Sequence, residues 1–306
     1  MADDVTPSTF VFVLGTGRCG STLVHEVLAQ HRDVGFLSNI EDRTSAPAIV
    51  GRWNGPLLRR MPPSLSRKGR ARFAPSEGYR ILDRQVSPAL SAPVRDLTRD
   101  DATPWLAARF RRFFEERGRA QGSPVFLHKF TGWPRAGFID AVLPDVRFIH
   151  VIRDGRAVAN SLLQMPWWRG YAGPEGWGWG PLPSAYEREW EASGRSFPVL
   201  AALEWKILMD AFALAKAALP AERWLDVRYE DLIHDPTASM KELLEFTGLS
   251  WTADFEERLR RYRFDPSRAE AFRRDFAEPD VEALERVLSG HLEQAGYAVD
   301  QGGQSS

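Results

Sequence analysis

Short, largely apolar runs recur along the chain, and most are followed by residues with helical spacing. The runs cover residues 10–14, 34–37, 125–129, 147–152 and 224–227 and are rich in Val, Ile and Phe. The first run, 10–14, is apolar throughout, which predicts a strand that is buried on both faces, as in a parallel sheet. Because the strands alternate with helical segments, the pattern predicts an α/β domain with helices on both faces of the sheet.

One long helical segment has readable ends and a readable buried face. Thr103 is a good N-cap and Pro104 suits the first helical position, so a helix is predicted to begin there and to end at Gly118. Its spacing predicts a buried stripe formed by Trp105, Leu106, Phe110, Phe113 and Phe114.

Two segments lack clear periodicity, and we interpret them as insertions or as a lid. Residues 46–101 are rich in Pro, Gly and Arg, and residues 166–196 hold many tryptophans among glycines and prolines. These tryptophans either line a binding pocket or simply pack an irregular loop. Since the chain shows no internal repeat and no linker, residues 1–306 are treated as a single domain. Its ends, 1–9 and about 300–306, are expected to be disordered.

Composition narrows the classes of function. The net charge of −1 over 306 residues argues against a general nucleic-acid binder. The basic stretches 67–72 and 109–112 are interpreted as solvated faces. The single cysteine, Cys19, excludes an intramolecular disulfide and fits a reducing compartment. No early apolar run is long enough to span a bilayer, so we expect a cytoplasmic protein without a stable membrane anchor.

A glycine-rich loop follows the first predicted strand. Gly15 and Gly20 are separated by four residues and are followed by Ser21 and Thr22. Such a loop resembles a P-loop, because its backbone N–H groups and the next helix can bind an anion. The lysine that nucleoside triphosphatases carry after the second glycine is missing, and Arg18 is the only cation in the loop. We therefore predict a P-loop-like central parallel β-sheet; the alternative is a turn that binds nothing.

A second candidate anion site lies at the end of the fourth predicted strand. Arg153 ends this strand, and Ser161 follows about two helical turns into the next segment. Both side chains can then reach one phosphate. The alternative interpretation is that Arg153 pairs with a surface carboxylate.

Together the two sites resemble those of sulfotransferases that use 3′-phosphoadenosine-5′-phosphosulfate (PAPS). The loop 15–22 is similar to the family's 5′-phosphosulfate loop, and Arg153 with Ser161 is similar to its 3′-phosphate site. Tyr229, followed by Asp235-Pro236, resembles a later signature whose tyrosine lies near the adenine. Within the family, this chain most resembles the bacterial branch and the tyrosylprotein sulfotransferases. The resemblance rests on Arg18 in the loop and on Lys129 after a middle strand.

This resemblance implies transfer of a sulfuryl group from PAPS to an acceptor hydroxyl, releasing adenosine 3′,5′-bisphosphate without a metal ion. Arg18 and Lys129 would neutralise the leaving group, and Ser267 with Arg268 would replace the basic motif that closes the site. Donor binding is assigned to Gly17, Arg18, Cys19, Gly20, Ser21, Thr22, Arg153, Ser161 and Tyr229.

The general base and the acceptor stay open at this stage. Glu41, after the second predicted strand, is the first candidate base, with Asp42, His128 and His25 as rivals. The acceptor is a hydroxyl of a small molecule, glycan, lipid or peptide. Two other functions remain possible: a nucleotide kinase with a divergent P-loop, and a noncatalytic protein that binds PAPS or its product.

Overall fold

The strands form one parallel five-stranded sheet in a computed structural model that describes residues 9–61, 73–143 and 145–299. They are β1 (Thr9–Leu14), β2 (Val34–Phe36), β3 (Val125–Lys129), β4 (Arg147–Ile152) and β5 (Trp224–Arg228). Their order is β2-β3-β1-β4-β5, which places β1 at the centre. The predicted parallel sheet is confirmed.

Two predictions fall largely outside these residues. The expected disordered ends lie outside the described part, except that Thr9 begins β1. The basic stretch 67–72 also lies outside it.

Helices cover both faces of the sheet, and the next element after each of the five strands is an α-helix. Their bounds are α1 (Ser21–Leu28), α2 (Asn39–Thr44), α3 (Asn54–Arg60), α4 (Tyr79–Gln85), α5 (Pro104–Gln121), α6 (Ala136–Val142), α7 (Gly155–Leu163), α8 (Ser184–Ala192), α9 (Phe197–Ala217), α10 (Tyr229–His234), α11 (Pro236–Thr247), α12 (Ala253–Leu259), α13 (Phe272–Asp275) and α14 (Glu278–Gln294).

The central strand shows why the sheet needs helices on both sides. Phe10 and Phe12 of β1 face a core that includes side chains of α5, α6 and α9. Val11 and Val13 face the opposite core, beside α1 and α11. Successive side chains of a strand point to opposite faces, so a strand that is apolar throughout requires two covering layers. The carboxyl ends of all five strands then lie at one edge of the sheet.

Two details of α5 differ from the prediction. The helix ends at Gln121, and Gly122 adopts the left-handed φ of 60° that closes it, whereas Gly118 is buried inside the helix. Trp105 is 60% exposed, although the other four members of the predicted stripe are buried. It lies one residue before Leu106 and is therefore rotated by about 100° from the buried face.

The two irregular segments are packed onto the domain. In the first, α4 and the turn Pro88–Leu90 supply the buried side chains Ile81, Leu82 and Leu90. In the second, the Trp168 and Trp177 side chains are buried, which favours packing over pocket lining for these two tryptophans. Among the described residues, no helix combines the length and the apolar character needed to cross a bilayer.

Candidate active site

The loop between β1 and α1 curls through left-handed backbone conformations. Gly17 and Gly20 have φ values of 84° and 95°, and Arg18 has a φ of 54°. A nonglycine residue in this region is strained, which is typical of functional sites. Within the described part of the chain, no side chain caps α1, so its first N–H groups stay available as donors. The loop and the helix end together form a cradle for an anion.

Tyr229 occupies the space beside this cradle. A Cβ atom added to Gly20 would lie 2.3 Å from the Tyr229 ring carbon Cδ2. The Arg153 guanidinium lies over the same ring, with its carbon 4.8 Å from the ring centroid. Glycine is therefore required at position 20 for two reasons, its positive φ and the close approach of the ring.

The predicted anion-binding side chains converge on the loop. Arg18 Nε donates to Ser161 Oγ at 2.8 Å. Arg153 donates from Nη1 to the Arg18 carbonyl at 2.9 Å and from Nη2 to the Arg268 carbonyl at 2.8 Å. Burial, together with the charges of Arg153 and Arg268, lowers the pKa of Arg18. Three guanidinium groups are thus held close together, and their mutual repulsion favours a bound anion.

Lys129 reaches the start of α1 from the carboxyl end of β3. It is only 6% exposed, and its Nζ atom donates to Thr22 Oγ1 at 2.7 Å. The same Nζ atom forms an ion pair with Glu77 Oε1 at 2.6 Å. Thr131 Oγ1 also donates to Glu77 Oε1, at 3.2 Å. Glu77 is a partly exposed carboxylate beside the loop, and the sequence analysis missed it.

Glu41 lies in a different environment from the one expected of a base. Its side chain is 0% exposed, and its Oε2 atom accepts hydrogen bonds from the Ser38 backbone, the Ser38 hydroxyl and Asn54. The first of these bonds completes a capping box for α2. Arg117 Nε lies 3.9 Å from the other oxygen. Because a base must reach the acceptor proton, this burial does not favour Glu41 as the base, and its assignment stays a prediction.

The three rival bases are also engaged elsewhere. Asp42 accepts a hydrogen bond from the Ile81 backbone at 3.1 Å, in the first turn of α4. The His128 ring packs against Phe130, with ring centroids 4.7 Å apart, and burial lowers its pKa to about 3. His25 is fully buried, and burial lowers its pKa well below the ordinary value.

The side chains of the remaining loop residues are buried or held by a neighbour. Cys19 is fully buried and packs in the core between the sheet and α1. The Ser21 side chain is buried as well, whereas Thr22 is exposed and held by Lys129. A bound anion would therefore contact the N–H groups of Cys19 and Ser21.

Fold and site together define a class of protein. The central strand of the parallel sheet is followed by a glycine-rich loop and by a helix that no described side chain caps. Arginine side chains lie beside this loop, which lacks the lysine of a P-loop. This arrangement is typical of α/β proteins that bind phosphorylated ligands at the carboxyl edge of the sheet.

Comparison with known proteins supplies the family. Residues 11–253 match the sulfotransferase family model, and the chain belongs to this family. Sulfotransfer is therefore its general activity, and the predicted family is confirmed. No match was found among curated proteins.

Solved structures of sulfotransferases share the fold. Sulfotransferase STF9 from Mycobacterium avium is 19% identical, with a TM-score of 0.54 over 98% of this chain and 79% of that chain. The sulfotransferase domain of the curacin biosynthetic pathway is 13% identical, with a TM-score of 0.52 over 94% and 98%. Sulfotransferase STF1 from Mycobacterium tuberculosis is 17% identical, with a TM-score of 0.50 over 90% and 78%. At these identities the likeness shows the fold, and the roles of single residues stay predictions.

Proposed function

We propose that the protein transfers a sulfuryl group from PAPS to the hydroxyl of an acceptor. The observation that carries this proposal is the convergence of Arg18, Arg153, Ser161 and Lys129 on one uncapped glycine loop. PAPS carries phosphate groups at both its 3′ and its 5′ positions. The site offers a backbone cradle for one of these groups and separate cationic side chains for the other.

Each group of the donor has a candidate partner. Arg153 and Ser161 bind the 3′-phosphate, and Tyr229 lies near the adenine. The N–H groups of residues 17–22 bind the 5′-phosphosulfate, because they surround the uncapped start of α1. Arg268 approaches the same cluster through the hydrogen bond from Arg153 to its carbonyl, which supports its predicted role in closing the site.

The reaction is an in-line displacement at sulfur. A bond forms between the acceptor oxygen and sulfur, and the bond from sulfur to the bridging phosphate oxygen breaks, which releases adenosine 3′,5′-bisphosphate. Arg18 and Lys129 neutralise the charge on the bridging oxygen. The acceptor proton passes to Glu77, a carboxylate that is both partly exposed and in contact with Lys129. The acceptor itself belongs to a small molecule, glycan, lipid or peptide.

Calorimetric titration of the full chain tests donor binding. We expect micromolar affinity for adenosine 3′,5′-bisphosphate and no heat with ATP and magnesium. Tight binding of ATP and magnesium, with none of the bisphosphate, would contradict the proposal and favour a nucleotide kinase.

Turnover is tested separately with PAPS carrying radioactive sulfate. The acceptor panel contains a phenol, a sugar, a sterol alcohol and a tyrosyl peptide, and we expect label in at least one product. Binding of the bisphosphate without transfer to any acceptor would favour a noncatalytic binding protein.

A further inference from the structure

The surface formed by residues 48–60 has an unusual distribution of side chains. A 3₁₀ turn, Ala48–Trp53, leads directly into α3, Asn54–Arg60, so the two form one short helical ridge. Its inner side carries Gly51, Asn54 and Leu58, which are buried. Asn54 anchors the ridge, because its side chain donates to the carbonyl of Phe36 at 2.8 Å. The ridge is therefore fixed on the edge strand β2.

The outer side of the ridge is apolar. Ile49, Trp53 and Leu57 are 56%, 53% and 44% exposed, and Val50 is exposed beside them. Val50 and Trp53 are three residues apart, the repeat of a 3₁₀ turn, and Trp53 and Leu57 are four apart, close to the repeat of an α-helix, so these three side chains lie along one face with Ile49 beside them. Single exposed apolar residues are ordinary, whereas an aligned row of large ones marks an interaction surface.

Basic side chains flank this apolar row. Arg52 and Arg60 are exposed, and the Arg52 guanidinium lies 5.0 Å from the Trp53 ring centroid. Arg59 is half-buried and interacts with Asp254, which marks the end of the surface. No acidic residue occurs between Asp42 and Glu77 in the sequence. The same stretch contains the basic residues Arg43, Arg52, Arg59, Arg60, Arg67, Lys68, Arg70 and Arg72.

We propose that the ridge 48–60 binds the interface of an anionic lipid bilayer. Large apolar side chains can enter the boundary between headgroups and acyl chains, and tryptophan is especially suited to that depth. The flanking arginines stay at the level of the anionic headgroups, where each gains from the negative surface potential. The ridge thus supplies both signals that reversible membrane attachment requires.

The charge of the ridge favours an anionic bilayer over a second copy of the chain as its binding partner. A symmetric contact through the ridge would bring Arg52 and Arg60 of both copies together, and the ridge has no acidic residue to pair with them. An anionic bilayer presents the complementary charge without a matching pocket. The inference concerns attachment alone and does not depend on the proposed sulfotransfer.

Cosedimentation of the full chain with vesicles tests the proposal. We expect binding to phosphatidylcholine vesicles that contain one-third phosphatidylglycerol and much weaker binding to phosphatidylcholine alone. The double variant Arg52→Gln and Arg60→Gln should partition roughly 30-fold less, since each arginine is expected to contribute about five-fold. Trp53→Ala should also reduce binding.

The chain offers a matched control for Trp53. Trp105 on α5 is similarly exposed and has Arg109 over its ring at 4.9 Å, so Trp105→Ala should leave vesicle binding unchanged. Unaltered thermal melting and bisphosphate affinity would show that the ridge variants are folded.

Three results would overturn the inference. The first is wild-type protein that stays in the supernatant with anionic vesicles. The second is an equal loss of binding in the control variant. The third is a dimer, detected by sedimentation velocity without lipid, that Trp53→Ala dissociates.

Discussion

Replacement of Arg153 by alanine tests the candidate 3′-phosphate site most directly. In the structure this guanidinium lies over Tyr229 and donates to two backbone carbonyls, those of Arg18 and Arg268. Its Nε atom is buried and has no partner among the described residues. Its hydrogen bonds within the described ranges go to carbonyl oxygens, so no carboxylate there neutralises its charge.

The size of the expected effect follows from these contacts. Two charge-assisted hydrogen bonds to phosphate contribute about 3 kcal/mol at the low end of their range. Removing one of three neighbouring cations also relieves repulsion on Arg18, but this site is half-exposed and the screened gain is below about 1 kcal/mol. The net loss of about 2 to 3 kcal/mol corresponds to bisphosphate binding that is roughly 30- to 150-fold weaker.

The assay compares adenosine 3′,5′-bisphosphate with adenosine 5′-monophosphate by calorimetry at fixed ionic strength. The wild type should prefer the bisphosphate, and Arg153→Ala should bind both nucleotides with nearly equal affinity. Arg147→Ala is a matched control, because Arg147 lies at the other end of β4, near the Phe246 ring, and donates to the Phe246 carbonyl. It should leave the preference unchanged.

Two results would refute this reasoning. One is an Arg153→Ala protein that keeps its preference for the bisphosphate. The other is an equal loss in Arg147→Ala, which would point to general destabilisation. Arg153→Lys refines the result, since it keeps the charge but loses the planar fork and should recover only part of the affinity.

Three further variants address the loop, the proposed base and a buried acid. Gly20→Ala places a methyl group against Tyr229 and adds a left-handed strain of about 1 kcal/mol, so both the melting temperature and bisphosphate affinity should fall; unchanged affinity by calorimetry would contradict the packing argument. Glu77→Gln should slow transfer from PAPS about 100-fold or more without weakening bisphosphate binding, and a loss below ten-fold in a turnover assay would exclude it as the base. Burial raises the pKa of Glu204 to about 7 from an ordinary 4.5, so its carboxyl binds a proton that the unfolded chain releases. We therefore compare the free energy of unfolding of the wild type with that of Glu204→Gln at each pH. The wild-type value minus the variant value should fall by about 3 kcal/mol as the pH rises from 4.5 to 7. Chemical denaturation at both pH values measures this difference, and equal values would contradict it. Glutamine retains an acceptor for the Trp168 indole, so the comparison isolates the charge.

The strands and the candidate anion site could be predicted from the sequence for related reasons. A run such as residues 10–14, which is apolar throughout, favours a strand that is buried on both faces, as in a parallel sheet. Once the strands are parallel, the residues that follow them share one edge, which brings Arg18 and Arg153 together although 135 positions separate them.

The candidate base was inaccessible because it depends on how an irregular segment docks. Glu77 precedes α4 in a stretch without periodicity, and only its contact with Lys129 identifies it. The structural role of Glu41 was readable from the sequence, since Ser38 and Glu41 have the spacing of a capping box. The end of α5 was ambiguous for a different reason. Either Gly118 or Gly122 could have terminated the helix, and only Gly122 adopts the left-handed conformation.

The cations of the site have two kinds of partner, neutral oxygen atoms and a carboxylate. Arg18 and Arg153 are held by a hydroxyl and by carbonyls, which orient them without cancelling their charge. Lys129 is held by the carboxylate of Glu77. If Glu77 accepts the acceptor proton, its negative charge disappears as charge grows on the bridging oxygen, and Lys129 is released to neutralise that oxygen. Glu77→Gln removes the competing carboxylate but also the proton acceptor, so it should bind the bisphosphate at least as tightly as the wild type while transferring sulfate more slowly.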